Sequence, residues 1–245
     1  MFSFLKSKPK LKDLIPNNYT DIHSHLLPGI DDGATDFNQT KKLYDSMKSL
    51  GFDQIITTPH VIKSVWNNTK SGIQSLEKKT SEDLKTIINK NQFHAAAEYM
   101  MDVDFVELFK KERLLTLKDN YLLVEMSYMN APLQLYEIIF DLQIEGYIPV
   151  LAHPERYLFY NQNFNEYKRL KKAGCLFQLN LLSTVGYYGV EAQKTANKLL
   201  ENNMINFVGS DIHHEGHINA FDSKIKITAQ HALEIAIENN KKFRY

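Results

Sequence analysis

The strongest constraint on the fold of this chain is an alternation. Short runs rich in β-branched and aromatic residues are separated, in most cases, by longer stretches with helical periodicity. Strands are predicted over 19–24, 54–58, 93–98, 121–125, 148–152, 176–180 and 205–209. Helices are predicted over 36–50, 70–89, 132–145, 163–172, 190–202 and 225–239. Asp36 is a candidate N-cap, and Gly51, Gly146 and Gly174 stand just past three helix ends, where glycine stops a helix. Strands separated by helices argue for a parallel sheet with helical crossovers, an α/β fold. A barrel and an open doubly wound sheet both satisfy that order. No Gly-rich phosphate loop follows the first strand, which weakens the dinucleotide-binding version. There is no internal repeat and no second-domain boundary. The expectation is a single domain over 19–245, preceded by a polar leader, 1–18, that is poorly ordered or weakly docked.

Charge narrows the function classes. Lys+Arg and Asp+Glu are equal at 29 each, so no global field gathers nucleic acid or anionic lipid, and anion specificity must come from a local site. A 43% hydrophobic content is enough for a sizeable core. The single cysteine, Cys175, cannot form an internal disulfide. The apolar part of residues 1–12 is too short for a signal peptide, and no run approaches the roughly 18 apolar residues of a membrane span. These features predict a cytoplasmic protein without membrane insertion and without a nucleic-acid partner.

The chemistry collects at strand ends. His23 and His25 close strand one, and Asp31 and Asp32 follow in the next loop. His60 closes strand two, Glu98 strand three and Glu125 strand four. His153 follows strand five, and Asp211 and His213 close strand seven. Only strand six offers no obvious ligand. A lone Glu or His at such a place is usually a solvated or core residue. Six of seven strands doing so at the C-terminal end, where barrel active sites form, is a different observation. Several carboxylates crowded among imidazoles are costly without a cation. His-x-His suits one ion, since alternate strand residues face the same side. Mixed imidazole and carboxylate donors suit Zn, Mn or Fe(II) better than Ca or Mg, and so many donors imply two or three ions. A cluster of this kind lowers the pKa of bound water and clamps both oxygens of an in-line displacement, so phosphate ester hydrolysis is the expected reaction class. Arg156 follows His153 by three residues, and its fork matches phosphate oxygens; its plainer reading is an ion pair with Glu155 or Glu166.

Asp21-Ile-His-Ser-His, Gly29-Ile-Asp-Asp-Gly33, Ala152-His-Pro-Glu-Arg156 and Ser210-Asp-Ile-His213 together resemble the PHP (polymerase and histidinol phosphatase) superfamily. Within it the chain is most similar to the bacterial protein-tyrosine phosphatases of capsule and exopolysaccharide loci. The resemblance runs from Tyr19 to the C-terminal helix. It implies a distorted (β/α)7 TIM-like barrel with a trinuclear, often manganese-loaded, site. His23, His25, Glu98 and Asp211 would hold one ion, Glu98, Glu125 and His153 a second, and Asp32, His60 and His213 the third. Asp32 rather than Asp31 is the implied ligand, being the residue before the glycine of the motif. A metal-bridging hydroxide would attack phosphorus in line, and Arg156 would bind the phosphate. The implied partner is a membrane tyrosine kinase with a Tyr-rich tail. Many relatives carry a second Arg beyond the position of His213; here the stretch is His214-Glu-Gly-His217, so His217 or His214 is the candidate for that contact or for the acid. The alternatives on the same residues are another small phosphomonoester, such as histidinol phosphate, or a non-catalytic metal-bound interaction module.

The remaining candidates read as structural. His94 begins a strand, His231 lies mid-helix and Cys175 lacks the Arg of a cysteine-phosphatase loop. Trp66, Tyr128, Tyr187 and Tyr188 could rim the site or simply pack. Tyr245 could be offered to a kinase, but a frayed helix end is the plainer expectation for Lys241–Tyr245.

Overall fold

The computed structural model describes residues 7–85 and 92–245. Its strands are β1 (Tyr19–Asp21), β2 (Phe52–Thr57), β3 (His60–Val61), β4 (Phe93–Ala95), β5 (Glu98–Met100), β6 (Tyr121–Glu125), β7 (Ile148–Ala152), β8 (Leu176–Asn180) and β9 (Phe207–Gly209). The helices are α1 (Phe37–Ser49), α2 (Lys70–Leu84), α3 (Val103–Lys111), α4 (Leu135–Ile144), α5 (Asn165–Lys172), α6 (Val190–Glu201), α7 (Glu215–Ala220) and α8 (Gln230–Asn239). The predicted end of α2, beyond residue 85, lies outside the described residues.

All strand pairs are parallel, in the orders β1-β2-β4 and β3-β5-β6-β7-β8-β9. The predicted second and third strands are each split. Pro59 has no N–H to give to a ladder, and the chain is interrupted between β2 and β3 there. Residues 96–97 interrupt the neighbouring strand at the same level, between β4 and β5. Single hydrogen bonds bridge the gap, from Ala96 N to Thr57 O and from Glu98 N to Pro59 O. The first strand and the segment after β9 also meet, through a parallel Ser24–Ile212 bridge and bonds from His25 N to Ile212 O and Asp211 N to His23 O. Among the described residues the ladders form two sheets and do not close into one ring.

The helices form where an apolar stripe and a cap coincide. In α1 the buried residues Thr40, Leu43, Tyr44 and Met47 fall on one helical face, and Asp36 accepts from Gln39 N. In α6 the buried set is Ala192, Thr195, Ala196, Leu199 and Leu200, the same period. Two helices went unpredicted. α3 is short, but Asp102 caps it through Phe105 N, and Phe105 and Phe109 bury one side. α7 occupies the stretch read as a loop after His213. Conversely, 225–229 is irregular rather than helical, with Ile225 N bonded to Pro9 O and Lys226 N to Thr184 O.

Strands β6, β7 and β8 are buried from their second residue onward, as strands covered on both faces must be. One face meets the helices. The other contributes to a small separate core of Ile22, Ile56, Ala96, Leu123, Val150, Ala152 and Phe207, joined by Phe243 from the C-terminal tail. The tail is therefore docked rather than frayed. In the N-terminal segment Leu11 is fully buried, its N–H bonds to Ser223 O, and Lys10 pairs with Asp222.

Candidate metal centre

The ligand-type residues converge at the C-terminal ends of the strands. β1 runs on into His23 and His25, which are both fully buried. His60 and Glu98 open β3 and β5 rather than closing the strands before them, because each follows the interruption described above. The parallel register then sets His60 directly beside Glu98. Glu125 ends β6. His153 and Asp211 follow β7 and β9 with φ of +35° and +51°, a left-handed backbone uncommon outside glycine. These bends turn the chain at the strand ends, and strain of this kind concentrates at functional sites.

Glu98 is the centre of the arrangement. Its Oε2 lies 3.1 Å from His23 Nε2, 3.2 Å from His60 Nδ1 and 3.6 Å from His25 Nε2, and its Oε1 lies 3.0 Å from His153 Nε2. Asp211 Oδ1 lies 3.3 Å from His23 Nε2, 3.4 Å from His25 Nε2 and 3.5 Å from His213 Nδ1. Glu125 Oε1 is 2.8 Å from His60 Nδ1. Asp32, the exposed member, reaches His60 Nε2 at 3.5 Å and His213 Nε2 at 3.4 Å. Four groups have ligand atoms within 4.8 Å of one another: His25, Asp32, His60 and His213; His23, Glu98 and His153; His23, His25 and Asp211; His60, Glu98 and Glu125. Every metal ligand expected from the sequence falls in at least one of them. His60 belongs to two, and His25 sits with the Asp32 group as well as with Asp211.

The adjacent aspartates separate clearly. Asp31 is turned inward, with Oδ2 accepting from His25 Nδ1 at 2.7 Å and from His60 N at 3.2 Å, so it braces His25 rather than joining the ligand groups. Gly33 allows this loop to close: a Cβ there would fall 2.1 Å from His25 O.

The electrostatics fit cations. Burial would raise the Glu98 carboxyl, but His23 and His60 hold it well below the ordinary range. Asp211 is likewise held well below its usual value, chiefly by His23 and His213 against burial. Burial followed by the neighbouring Glu98 charge pushes Glu125 up. Burial alone would lower His60, yet Glu125 and Glu98 outweigh it and raise the ring to about 9. Burial and then Arg156 lower His153 to about 4. Within the cluster, the buried ring nitrogens His25 Nε2 and His153 Nδ1 have no hydrogen-bond partner. His25 Nε2 faces carboxylate oxygens of Asp211 and Glu98, and a cation there would satisfy all three groups.

Arg156 lies on the rim. It pairs with Asp211 Oδ2 at 2.7 Å, not with Glu155 or Glu166. Glu155 is buried against Ser183 Oγ and Asn180 N, and Glu166 pairs with Arg169. The Arg156 guanidinium is flanked by the rings of Tyr128 at 4.8 Å and Tyr188 at 4.1 Å, from the loops after β6 and β8 on either side of its own strand. His214 caps α7 through Gly216 N, and its ring lies 4.1 Å from that of His217. His217 is buried, which lowers it to about 4, and its Nδ1 is engaged with the backbone of Asp211 and His213. His94 stacks on Tyr245, His231 is exposed, and burial pushes the Cys175 thiol up to about 12.

Sequence reasoning set Asp31 aside as a ligand without giving it a role, and passed over Gln178 and Asn180. All three are buried at the site. Gln178 Oε1 meets His23 Nδ1 at 2.7 Å, and Asn180 Nδ2 donates to Asp211 Oδ2 at 2.9 Å. The available signal was alternation: both lie on the strand that seemed empty, two residues apart and hence on one face.

A single-domain α/β chain with parallel strands and a His- and carboxylate-rich cluster at their C-terminal ends defines the class. The capsular polysaccharide synthesis family CpsB/CapC matches residues 19–239, and the chain belongs to it. Tyrosine-protein phosphatase YwqE of Bacillus subtilis (strain 168) is 32% identical over 200 residues, spanning 79% of this chain and 76% of that protein. Putative tyrosine-protein phosphatase CapC of Staphylococcus aureus is 29% identical over 197 residues, 79% of this chain and 76% of its own. Tyrosine-protein phosphatase CpsB of Streptococcus pneumoniae is 28% identical over 199 residues, 79% of this chain and 82% of its own. Among solved structures, the chain matches one of the pair YwqE from Bacillus subtilis and CpsB from Streptococcus pneumoniae, described as unique metal-dependent tyrosine phosphatases. The TM-score is 0.74 with 29% identity, covering 88% of this chain and 85% of that one.

Proposed function

We propose that this protein is a metal-dependent protein-tyrosine phosphatase serving capsule or exopolysaccharide synthesis. The observation that carries the reading is the convergence of His23, His25, Asp32, His60, Glu98, Glu125, His153, Asp211 and His213 into four overlapping ligand groups, in a family whose named relatives are tyrosine phosphatases. These residues would hold two or three divalent ions, manganese first, with Fe or Zn as alternatives. The parallel strands, their contact through Ser24 and Ile212, and the separate inner core favour a distorted (β/α)7 barrel over 19–245.

Divalent ions held there supply Lewis acidity and lower the pKa of coordinated water. The chain's own residues do the rest. Arg156 binds the phosphate: Asp211 and the flanking tyrosines aim its planar fork, and a dianionic ester draws it away from that single pairing. Tyr128 and Tyr188 offer aromatic faces beside the phosphate position, suited to an aryl ester. A phenolate leaving group, with a pKa near 10, needs little acid assistance. Of the two candidates for the place of a second arginine, His214 keeps an exposed ring and His217 a buried neutral one. The substrate is a phosphotyrosine protein, and the proposed partner is the Tyr-rich tail of a membrane tyrosine kinase, met in the cytoplasm. No helix among the described residues is long and apolar enough to cross a membrane.

The test is steady-state hydrolysis by protein stripped of metal and reloaded with Mn, on a phosphotyrosine peptide, a phosphoserine peptide and histidinol phosphate. Metal-dependent turnover strongest on phosphotyrosine is expected. A preference for histidinol phosphate would keep the site and overturn the substrate. Bound metal with no turnover on any ester would leave an interaction module.

A further inference from the structure

We infer that β8, the strand without a His or carboxylate of its own, is the positioning strand of the metal centre, and that Gln178 holds His23 with Nε2 free for an ion. This rests on His23 being a metal ligand. The orientation of the Gln178 amide is fixed by its other end: Nε2 donates to Leu179 O at 2.8 Å, so Oε1 must be the atom facing His23. An oxygen at 2.7 Å from Nδ1 can only accept, so Nδ1 carries a proton. With Nδ1 protonated, Nε2 is the nitrogen that gives up its proton when the ring is neutral, and its lone pair is then aimed between Glu98 Oε2 at 3.1 Å and Asp211 Oδ1 at 3.3 Å, where an ion would replace that proton. Gly209 makes the approach feasible, since a Cβ there would lie 2.6 Å from both Gln178 Nε2 and His23 Cβ.

Asn180 repeats the logic two residues on. Its Oδ1 accepts from Leu182 N at 2.8 Å, so Nδ2 donates to Asp211 Oδ2 at 2.9 Å and leaves Asp211 Oδ1 to the histidines. The two rings of His23-Ser-His25 are thus braced differently. His25 leans on the Asp31 carboxylate, and His23 on a neutral amide. An amide sets the tautomer without adding a third negative charge beside Glu98 and Asp211.

Affinity for Zn and for Mn, read by chelator competition on full-length protein, tests the assignment in wild type, Gln178→Leu and Gln178→Glu. Thermal melts of the metal-free forms confirm folding. Loss of an oriented support of this type weakens metal binding 10–100-fold in general, and Gln178→Leu is expected to lose about that much. Gln178→Glu keeps the acceptor and is expected to bind at least as tightly as wild type. In the Zn-loaded protein, the Nδ1 proton of His23 should appear as a slowly exchanging ring N–H in wild type and Gln178→Glu, and vanish in Gln178→Leu. Wild-type affinity in Gln178→Leu, or equal losses in the Leu and Glu variants, would overturn the positioning role. Failure of wild type itself to bind metal would overturn both this inference and the proposed function, whereas metal binding without turnover would overturn only the latter.

Discussion

The two ends of the strands are built from opposite materials. At the N-terminal ends Phe243 sits between Phe207 and Tyr121, with ring centroids 4.8 and 5.3 Å away. Asn240 beside it is fully used: Tyr19 Oη, Thr20 O and Val208 O all lie within 3.0 Å of Nδ2 and compete for its two hydrogens, and Oδ1 accepts from Val208 N. Tyr245 closes the edge by donating to Leu117 O at 2.7 Å. At the C-terminal ends, five imidazoles and four carboxylates crowd together, and buried ring nitrogens are left unpaired. The lower end gains stability from burial and satisfied hydrogen bonds. The upper end gives stability up, because buried charge and unpaired polar atoms are costly without the ligand they await. Stability and binding are thus assigned to opposite ends of the same strands.

The sharpest way to probe this division is to remove a charge from the upper end. Glu125→Gln, which removes a carboxylate that burial and the neighbouring Glu98 charge push up, should lower kcat on a phosphotyrosine peptide by about 10³-fold, the equivalent of several kcal/mol of metal assistance. The melting temperature of the metal-free variant should stay at or above the wild-type value. Phe243→Ala should do the reverse. It should cost about 3–5 kcal/mol in urea unfolding, with activity per folded molecule unchanged. A Phe243→Ala variant that melts normally but turns over poorly would break the contrast between the ends.

Arg156→Ala should lower kcat/KM by about 10–100-fold, the worth of a charge-assisted hydrogen bond, with metal affinity nearly intact. Arg156→Lys should recover little of it, because a point charge cannot replace a planar fork held between two rings. A proton linkage follows from His60, which Glu125 and Glu98 raise to about 9 in the metal-free protein. Its contribution to metal-free stability is fully present below the unfolded value of about 6.5 and is lost as pH rises through about 9. Metal binding must displace that proton, so affinity should climb over the same window, and calorimetry at pH 7 in two buffers should record proton release. The smallest effect concerns Cys175. With its thiol buried and pushed up to about 12, it should resist a disulfide reagent at pH 8 until denaturant is added.

Much of the site was legible because metal ligands are a local signal. A His, Asp or Glu ending an apolar run is visible residue by residue, and the choice of Asp32 over Asp31 agrees with the inward turn of Asp31 toward His25. The supports were not legible. Gln178 and Asn180 look like ordinary polar residues until β8 is set beside β9, and the Arg156–Asp211 pair joins residues 55 apart in sequence. The short helices α3 and α7 escaped because 9 and 6 residues give too few turns for a period to stand out. The docking of Phe243 escaped because nothing near residue 243 in sequence announces an apolar core waiting for it.

By itself the sequence determined the alternation of parallel strands and helices, the end of the strands at which chemistry gathers, and the candidate ligand residues, since periodicity and residue type act over a few neighbours. Tertiary structure alone decided how the strands are interrupted at Pro59 and residues 96–97, which carboxylate faces which ring, which nitrogen of His23 meets Gln178, and that residues 240–245 seal the opposite end. Those outcomes depend on hydrogen bonds and contacts between residues far apart in the chain, where no local pattern carries the information.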